Sequence, residues 1–351
     1  MGRFFVYLRA GLIGTALFRV MAAASLCAQT PQPTPTQAPR AAKPDEKGEE
    51  FQTPPPIITE HTLTLPAGKT LKYKAITGYL LLTDSSKPDG TSGGPGKPAP
   101  EASPDKAREK PVDPAKGKPK AQVFYVAYIA TEAGDPANRP LTFVFNGGPG
   151  SSAVWLHLGG IGPRRVLLSE RGEALPPPAR LVDNESTWLD KTDLVFIDPV
   201  PSGYSRPAPG ENARQFWGYS EDIRQVGDFI RLWTTKNSRW ASPRFLAGES
   251  YGTTRAAGLG DYLQDRYAMS LNGIVLIGSA LNFQTIEMSY GNDVPYPLFL
   301  PSYASAAWYH KKLPPELQQL SLPDLLKRVE DFAANTYLVA LAKGDSLSTE
   351  E

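Results

Sequence analysis

The stretch Phe245-Leu246-Ala247-Gly248-Glu249-Ser250-Tyr251-Gly252 reads as a short buried strand running into a tight turn, and residues 253–267 behind it suit a helix. The spacing Gly-x-Ser-x-Gly at 248–252 is what a strand-to-helix turn needs if it is to expose a serine. The serine sits at the apex, and small flanking glycines let neighbouring backbone come close to it. The following helix points its N-terminus at the hydroxyl, where partial positive charge favours developing negative charge. Ser250 is therefore the candidate nucleophile, against the blander reading of a plain glycine turn.

The same alternation continues outward. Apolar runs at 123–129, 141–145, 194–197 and 274–277 read as strands. Between them, Ile223, Val226, Ile230 and Trp233 fall at helical spacing behind Ser220, with Glu221 and Asp222 in the first turn. Strands alternating with helices imply βαβ units and a mostly parallel sheet, so the class is α/β. Upstream, His61-Thr62-Leu63-Thr64-Leu65 and residues 71–82 alternate as a small antiparallel set would.

A second glycine-rich loop, Asn146-Gly147-Gly148-Pro149-Gly150-Ser151-Ser152, follows the strand at 141–145. As a phosphate cradle it lacks the Gly-Lys-Ser/Thr ending, and no Gly-x-Gly-x-x-Gly is present. The alternative is an oxyanion hole, in which one backbone N–H comes from such a loop and the other from the residue after the nucleophile. Here those are the N–H groups of Gly148 and Tyr251.

The rest of the 351 residues bounds what the chain can be. With 37 basic and 36 acidic side chains the net charge is +1, which gives no electrostatic ground for a nucleic acid or an anionic membrane surface as partner. Residues 1–28 have Arg3 and Arg9, an apolar middle and a small residue at Ala28, the layout of a signal peptide, so export to a periplasmic or extracellular space is expected. Arg19 interrupts the apolar run, and Cys27 stands behind the bulky Leu26. Cys27 is the single cysteine, which excludes an intramolecular disulfide and a cysteine-based zinc site. Proline, 35 residues in all, is about twice its usual frequency. The excess gathers at 29–56, read as a tether, and at 84–120, read as an insertion in a hairpin connection. The folded core is then expected over 57–281, followed by a helical cap region at 282–351 in which Ser321 opens a helix.

Taken together, Asn146 to Ser152, Trp188-Leu189-Asp190 leading into Phe196-Ile197-Asp198-Pro199 and Gly203-Tyr204-Ser205, and Gly248 to Gly252 resemble the serine carboxypeptidase family. Pro301-Ser302-Tyr303 and Trp308-Tyr309-His310 look like a segment of its bacterial members, and the resemblance runs over 121–310. It implies an α/β-hydrolase fold and removal of C-terminal residues from peptides through an acyl-enzyme on Ser250, without metal or cofactor. It also implies that Asn146 and Glu249 bind the substrate's terminal carboxylate. A glutamate facing a carboxylate repels it unless the two share a proton, so binding should favour acidic pH. Two positions depart from the family pattern. Ser151 stands where a cysteine is usual, and Gly160 where a second glutamate is common. The second departure keeps an esterase or acyltransferase open as a reading.

A serine needs a base, and in this fold the acid and histidine follow the serine at later strand ends. Of the three histidines, His61 and His157 precede Ser250, with His157 expected to line the pocket, and His310 lies in cap-like sequence. The expectation is a chain lacking the last strands together with the catalytic acid and histidine. A non-catalytic protein that kept the pocket is the alternative from a different class. Trp155, Tyr251 and Trp217 are candidates for an apolar pocket wall or for core.

Overall fold

The computed structural model describes residues 51–83 and 117–350. The signal-like segment at 1–28, the tether up to residue 50 and the 84–116 part of the insertion lie outside these residues. Three strands open the fold: β1 (Ile57–Thr64), β2 (Thr70–Thr83) and β3 (Pro119–Ala130), paired antiparallel in that order. They are followed by β4 (Leu141–Phe145), a separate two-stranded sheet of β5 (Arg164–Val166) and β6 (Leu181–Asp183), then β7 (Asp193–Ile197) and β8 (Arg206–Pro207). Helix α1 (Tyr219–Lys236), strand β9 (Arg244–Glu249), helix α2 (Tyr251–Tyr267) and strand β10 (Gly273–Ile277) complete the alternation. The strand order is β1-β2-β3-β7-β4-β9-β10, with β8 paired to β3. The stretch β7-β4-β9-β10 is parallel, and β3 joins it antiparallel. This is an α/β fold with a mixed sheet whose parallel half carries the loops of interest.

The central strands are apolar on both faces because both faces are covered. Successive side chains alternate across the sheet. Phe143, Phe145, Val195, Ile197 and Leu246 pack with Ile223, Val226, Phe229, Ile230 and Trp233 of α1 and with Ala256, Leu259 and Leu263 of α2. Val144, Leu194, Phe196 and Ala247 face the other way, onto Leu189, Ile161 and Ala153. The four apolar positions expected on α1 are thus all buried. The helix begins one residue before the expected cap: Gly218, at φ 98°, turns the chain into it, and Ser220 lies in the first turn.

The starts of the parallel strands are tied by charge. Asp193 at the head of β7 is fully buried and accepts from Arg139 Nε at 2.7 Å, Arg239 Nη1 at 2.6 Å and the Ala130 N–H at 3.0 Å. Taking either partner away would leave a buried charge uncompensated, which makes this cluster far more sensitive than a surface ion pair. The ends of the same strands, at Phe145, Ile197, Glu249 and Ile277, open towards the candidate site, the usual ligand side of a parallel sheet.

Past β10, whose Ile274, Val275 and Leu276 are partly exposed, the chain is helical: α3 (Pro295–Tyr309), α4 (Pro315–Gln318), α5 (Leu322–Phe332) and α6 (Leu338–Lys343). Ser321 caps α5, its Oγ accepting the Asp324 N–H at 3.3 Å and donating to Asp324 Oδ2 at 2.6 Å. Trp308 and Gln318 tie α3 to the following turn, Trp308 Nε1 donating to the Leu320 carbonyl and Gln318 Nε2 to the Trp308 carbonyl, each at 3.0 Å. No helix among the described residues is long and apolar enough to cross a membrane.

Phe143 and Trp233, both fully buried, meet edge to face with ring centroids 5.8 Å apart in the core between the sheet and α1. We predict that Phe143→Ala destabilises the protein by about 3–5 kcal/mol, read from the urea midpoint. Trp233→Phe should cost clearly less, because the buried indole N–H has no hydrogen-bond partner among the described residues and its loss relieves an unmet donor. Equal losses from the two substitutions would contradict this account.

Candidate active site

Strand β9 ends at Glu249 and helix α2 starts at Tyr251, so Ser250 alone makes the turn, at φ 57° and ψ −126°. A non-glycine residue there carries backbone strain of about 1–3 kcal/mol, held in place by its surroundings. Those surroundings are specific. The Ser250 N–H donates to the Ile277 carbonyl at the end of β10 at 2.9 Å, and its carbonyl accepts from Thr253 Oγ1 at 2.7 Å. Thr253 Oγ1 in turn accepts the Ala280 N–H at 3.1 Å, so the exit of β10 is stitched to the turn.

The flanking glycines are required by contact. A Cβ on Gly248 would lie 2.0 Å from the Gly252 carbonyl oxygen, which no side chain tolerates. One on Gly147 would lie 2.4 Å from the Tyr251 nitrogen, so the glycine loop after β4 and the first turn of α2 are in backbone contact. The two loops singled out from sequence are therefore brought together. Tyr251, as the first residue of a helix, has an N–H without an intrahelical acceptor.

Asn146 and Glu249 also meet. Asn146, 2% exposed, donates from Nδ2 to Glu249 Oε2 at 2.9 Å and accepts the Leu156 N–H on Oδ1 at 3.0 Å. With Ser250 they line a cavity of about 500 Å³ whose other walls are Gly148, Ser151, Trp155 and Leu156. Trp155 is 71% exposed and stands at its edge. Tyr251 turns its ring away into the protein, and burial, reinforced by the nearby Asp222 carboxylate, pushes its phenol up to about 12. Trp217 lies on a different cavity, beside Phe216 and Arg224. Among the described residues no group of three His, Cys, Asp or Glu side chains could hold a metal ion.

Sequence reasoning passed over Asp198. Buried behind the glycine loop, it accepts Ser152 Oγ–H and the Ala153 N–H on Oδ1, each at 2.9 Å, and the Tyr204 N–H on Oδ2 at 3.2 Å. It fixes the far end of the loop that Asn146 begins. The sequence signal was its place one residue after an apolar strand, where a parallel sheet delivers polar groups to its working edge.

The three histidines lie elsewhere. His61 is hydrogen-bonded to Thr59 and stacked on Tyr73 in the β1–β2 region, and His310 follows the end of α3 against Tyr309. His157 does not line the cavity. It is half-buried, stacked on Phe196 at 4.6 Å and hydrogen-bonded through Nε2 to the Tyr128 hydroxyl at 2.6 Å. The reason is local: residues 157–161 wind as a π-helical turn, which carries the ring inward over β7.

Burial lowers His157 from 6.5 to about 4. Above pH 6.5 the ring is neutral folded or unfolded, and it adds no pH dependence. Between about 6.5 and about 4 the unfolded chain takes up a proton that the folded one refuses, so stability falls as pH falls. Over that window the loss is roughly 3 kcal/mol. We predict that His157→Gln is less stable than the natural protein at pH 7.5 but loses less on going to pH 4.5, as measured by urea unfolding at both. Parallel losses in the two proteins would place the acid sensitivity elsewhere.

Comparison with known proteins agrees with the geometry. Residues 114–311, more than half of the chain, match the serine carboxypeptidase family model. The chain is 27% identical over 177 residues to serine carboxypeptidase-like 5 of Arabidopsis thaliana, an alignment covering 48% of this chain and 39% of that one. It is 28% identical over 184 residues to serine carboxypeptidase-like 51 of the same plant, covering 50% and 37%. Among solved structures it resembles Kex1(delta)p, a prohormone-processing carboxypeptidase from Saccharomyces cerevisiae, at 17% identity and a TM-score of 0.44, over 76% of this chain and 49% of that one. The chain spans less than two fifths of these curated relatives' length. With that match lying over both glycine loops and the strained serine turn, the chain belongs to the serine carboxypeptidase family.

Proposed function

We propose that this chain carries the acyl-transfer site of a serine carboxypeptidase, which removes C-terminal residues from peptides by way of an acyl-enzyme on Ser250. The observation that carries the reading is the contact between the two loops: Ser250 at a strained turn, with the Gly147–Gly148 loop packed against the Tyr251 nitrogen. In this reading the Gly148 and Tyr251 N–H groups receive the carbonyl oxygen as it becomes an oxyanion, a role worth roughly 100-fold or more in rate per donor. Asn146 and Glu249, already hydrogen-bonded to one another, would receive the terminal carboxylate. Two carboxylates placed together need a shared proton, so the peptidase activity should fall as pH rises. Among the described residues none of His61, His157 and His310 is bonded to Ser250; their partners are Thr59, Tyr128 and Tyr309.

A second reading, an esterase or acyltransferase with the same serine, is favoured by Gly160. No atom lies within 4 Å of where its Cβ would be, so the position where family members commonly hold a second glutamate is empty space. A substrate without a free carboxylate loses less here than in a site with two acids. The signal-like start at 1–28 is consistent with export under either reading.

Two predictions test this. A fluorophosphonate should label the natural protein at Ser250, mapped by peptide mass spectrometry, and Ser250→Ala should abolish the adduct; a folded protein that stays unlabelled would overturn both readings. Gly160→Glu, which the open space admits, should raise turnover of a blocked dipeptide relative to its C-terminal amide at pH 5 by about tenfold, the scale of one added charge-assisted hydrogen bond. If the natural protein already hydrolyses the amide or a simple ester better than the free acid, the esterase reading replaces the peptidase.

A further inference from the structure

Arg255 lies five residues past Ser250 on α2, and its side chain is 1% exposed. Its Nε donates to Asp222 Oδ2 at 2.8 Å, and its Nη1 donates to the Asn146 carbonyl at 2.7 Å. The guanidinium carbon stands 5.2 Å from the Phe145 ring and 5.2 Å from the Tyr251 ring. One cation therefore touches the last residue of β4, the first residue of the glycine loop, the residue after the nucleophile and the first turn of α1. We propose that Arg255, locked by Asp222, is the positioning residue of the oxyanion loop: it sets the orientation of the Asn146–Gly147 peptide, and with it the Gly148 N–H and the Asn146 side chain. The inference deepens the proposed acyl-transfer reading and rests on it for its kinetic consequence only.

A peptide unit is planar, so a donor that fixes the Asn146 carbonyl also fixes the direction of the Gly147 N–H on the opposite side of the same plane. Gly147 has little room to compensate, since even a Cβ there would fall 2.4 Å from the Tyr251 nitrogen. The next residue, Gly148, is at φ 105°, a left-handed conformation open to glycine, and its N–H lies one peptide on from the plane that Arg255 holds. A buried cation is costly unless paired, and a core could hold Phe145 and Tyr251 together with an aliphatic side chain at lower cost. What an aliphatic group cannot do is donate to Asn146 and Asp222 at once. Lysine cannot do it either, because its single ammonium lacks the fork that reaches two acceptors in different directions. Arg255 is not itself a lining residue of the cavity; it reaches the cavity through Asn146, which is one.

The test uses the full-length protein and three variants: Arg255→Lys, the paired replacement Asp222→Leu/Arg255→Met, which leaves no unpaired buried charge, and Arg231→Lys as a control on α1. Two readouts are taken. The first is fluorophosphonate labelling of Ser250, resolved into the fraction of molecules labelled, the inactivation rate constant and the reagent affinity. A merely structural role would lower the labelled fraction and leave the rate constant of the folded molecules alone. Mispositioned donors lower the rate constant itself, and we expect a fall of roughly 100-fold in Arg255→Lys with reagent affinity within threefold. The second readout is hydrogen exchange of the backbone over residues 146–152, which needs no catalysis; it should rise at least tenfold in both Arg255 variants and remain unchanged in Arg231→Lys. An inactivation rate constant within twofold of the natural protein, or unchanged exchange at 146–152 in a folded variant, overturns the proposal. If the natural protein fails to label, the acyl-transfer reading falls and the exchange measurement alone decides the positioning role. Should the paired replacement fail to fold, Arg255→Lys, which keeps the charge opposite Asp222, decides both readouts.

Discussion

The chain has to pass a backbone turn, a helix start and a second loop through one small volume at Ser250, and that crowding governs the rest of the structure. Gly248 and Gly252 are so close that a methyl group on the first would overlap the carbonyl of the second, and Gly147 presses on the Tyr251 nitrogen from the other side. Close approach of this kind leaves no slack: a shift of half an ångström in any segment is felt by the others. The serine's positive φ is tolerated because strand β9, helix α2 and the exit of β10 each hold one side of it. The strain is an observed backbone outlier at a strand end, and it is this observation that points to chemistry.

Charge is used in two distinct ways at the two ends of the parallel strands. At their starts, buried Asp193 gathers Arg139 and Arg239 and ties the heads of the strands together. At their ends, Asp198 and Arg255 are equally buried and bond to backbone at the two ends of the glycine loop, the Ala153 N–H and the Asn146 carbonyl, while Asp222 holds the Arg255 side chain. An apolar replacement of similar volume would serve stability as well or better in either place. The loop-facing set is therefore best understood through orientation: backbone carbonyls and N–H groups cannot be aimed by hydrophobic contacts, which have no direction. That distinction separates Arg255 from Arg239, two arginines of similar burial and similar partners.

How much of this could be read from the sequence follows from the range of each signal. The parallel strands and α1 were legible because period-two and helical apolar patterns are local. Both glycine loops were legible because each is a contiguous motif next to such a strand, and the structure does put Asn146 against Glu249 and Gly147 against Tyr251. What stayed hidden were the side chains whose meaning depends on distant partners. Arg255 pairs with Asp222 across 33 residues and reaches Asn146 across 109. In sequence it is one more charged residue on a helix. Asp198 was quoted as part of a family-like segment without a task, because its acceptor role appears only when the 152–153 turn folds over it. His157 was expected on the pocket wall because it lies just past the glycine loop on helical sequence, and the π-turn at 157–161 sets its ring against Phe196 and Tyr128 instead.

The position of His157 bears on how the cavity itself is built. A neutral imidazole stacked on Phe196 and bonded to Tyr128 is an expensive way to fill space, since a phenylalanine would pack there without needing a partner. Yet the same residue supplies the carbonyl that accepts the Gly162 N–H at 3.1 Å and closes the π-turn, and Leu156 just before it is held by Asn146 Oδ1 at 3.0 Å. The ring thus anchors, through Tyr128, a segment whose near end touches the candidate carboxylate site and whose far end is Gly160. Gly160 itself is exposed, with no atom within 4 Å of where its Cβ would be, while the next residue, Ile161, is buried and Gly162 is pressed against the His157 carbonyl. The segment is thus fixed at the end where Leu156 meets the cavity and at Ile161, and the glycine between them is open to solvent, so a side chain added at 160 would meet no steric barrier.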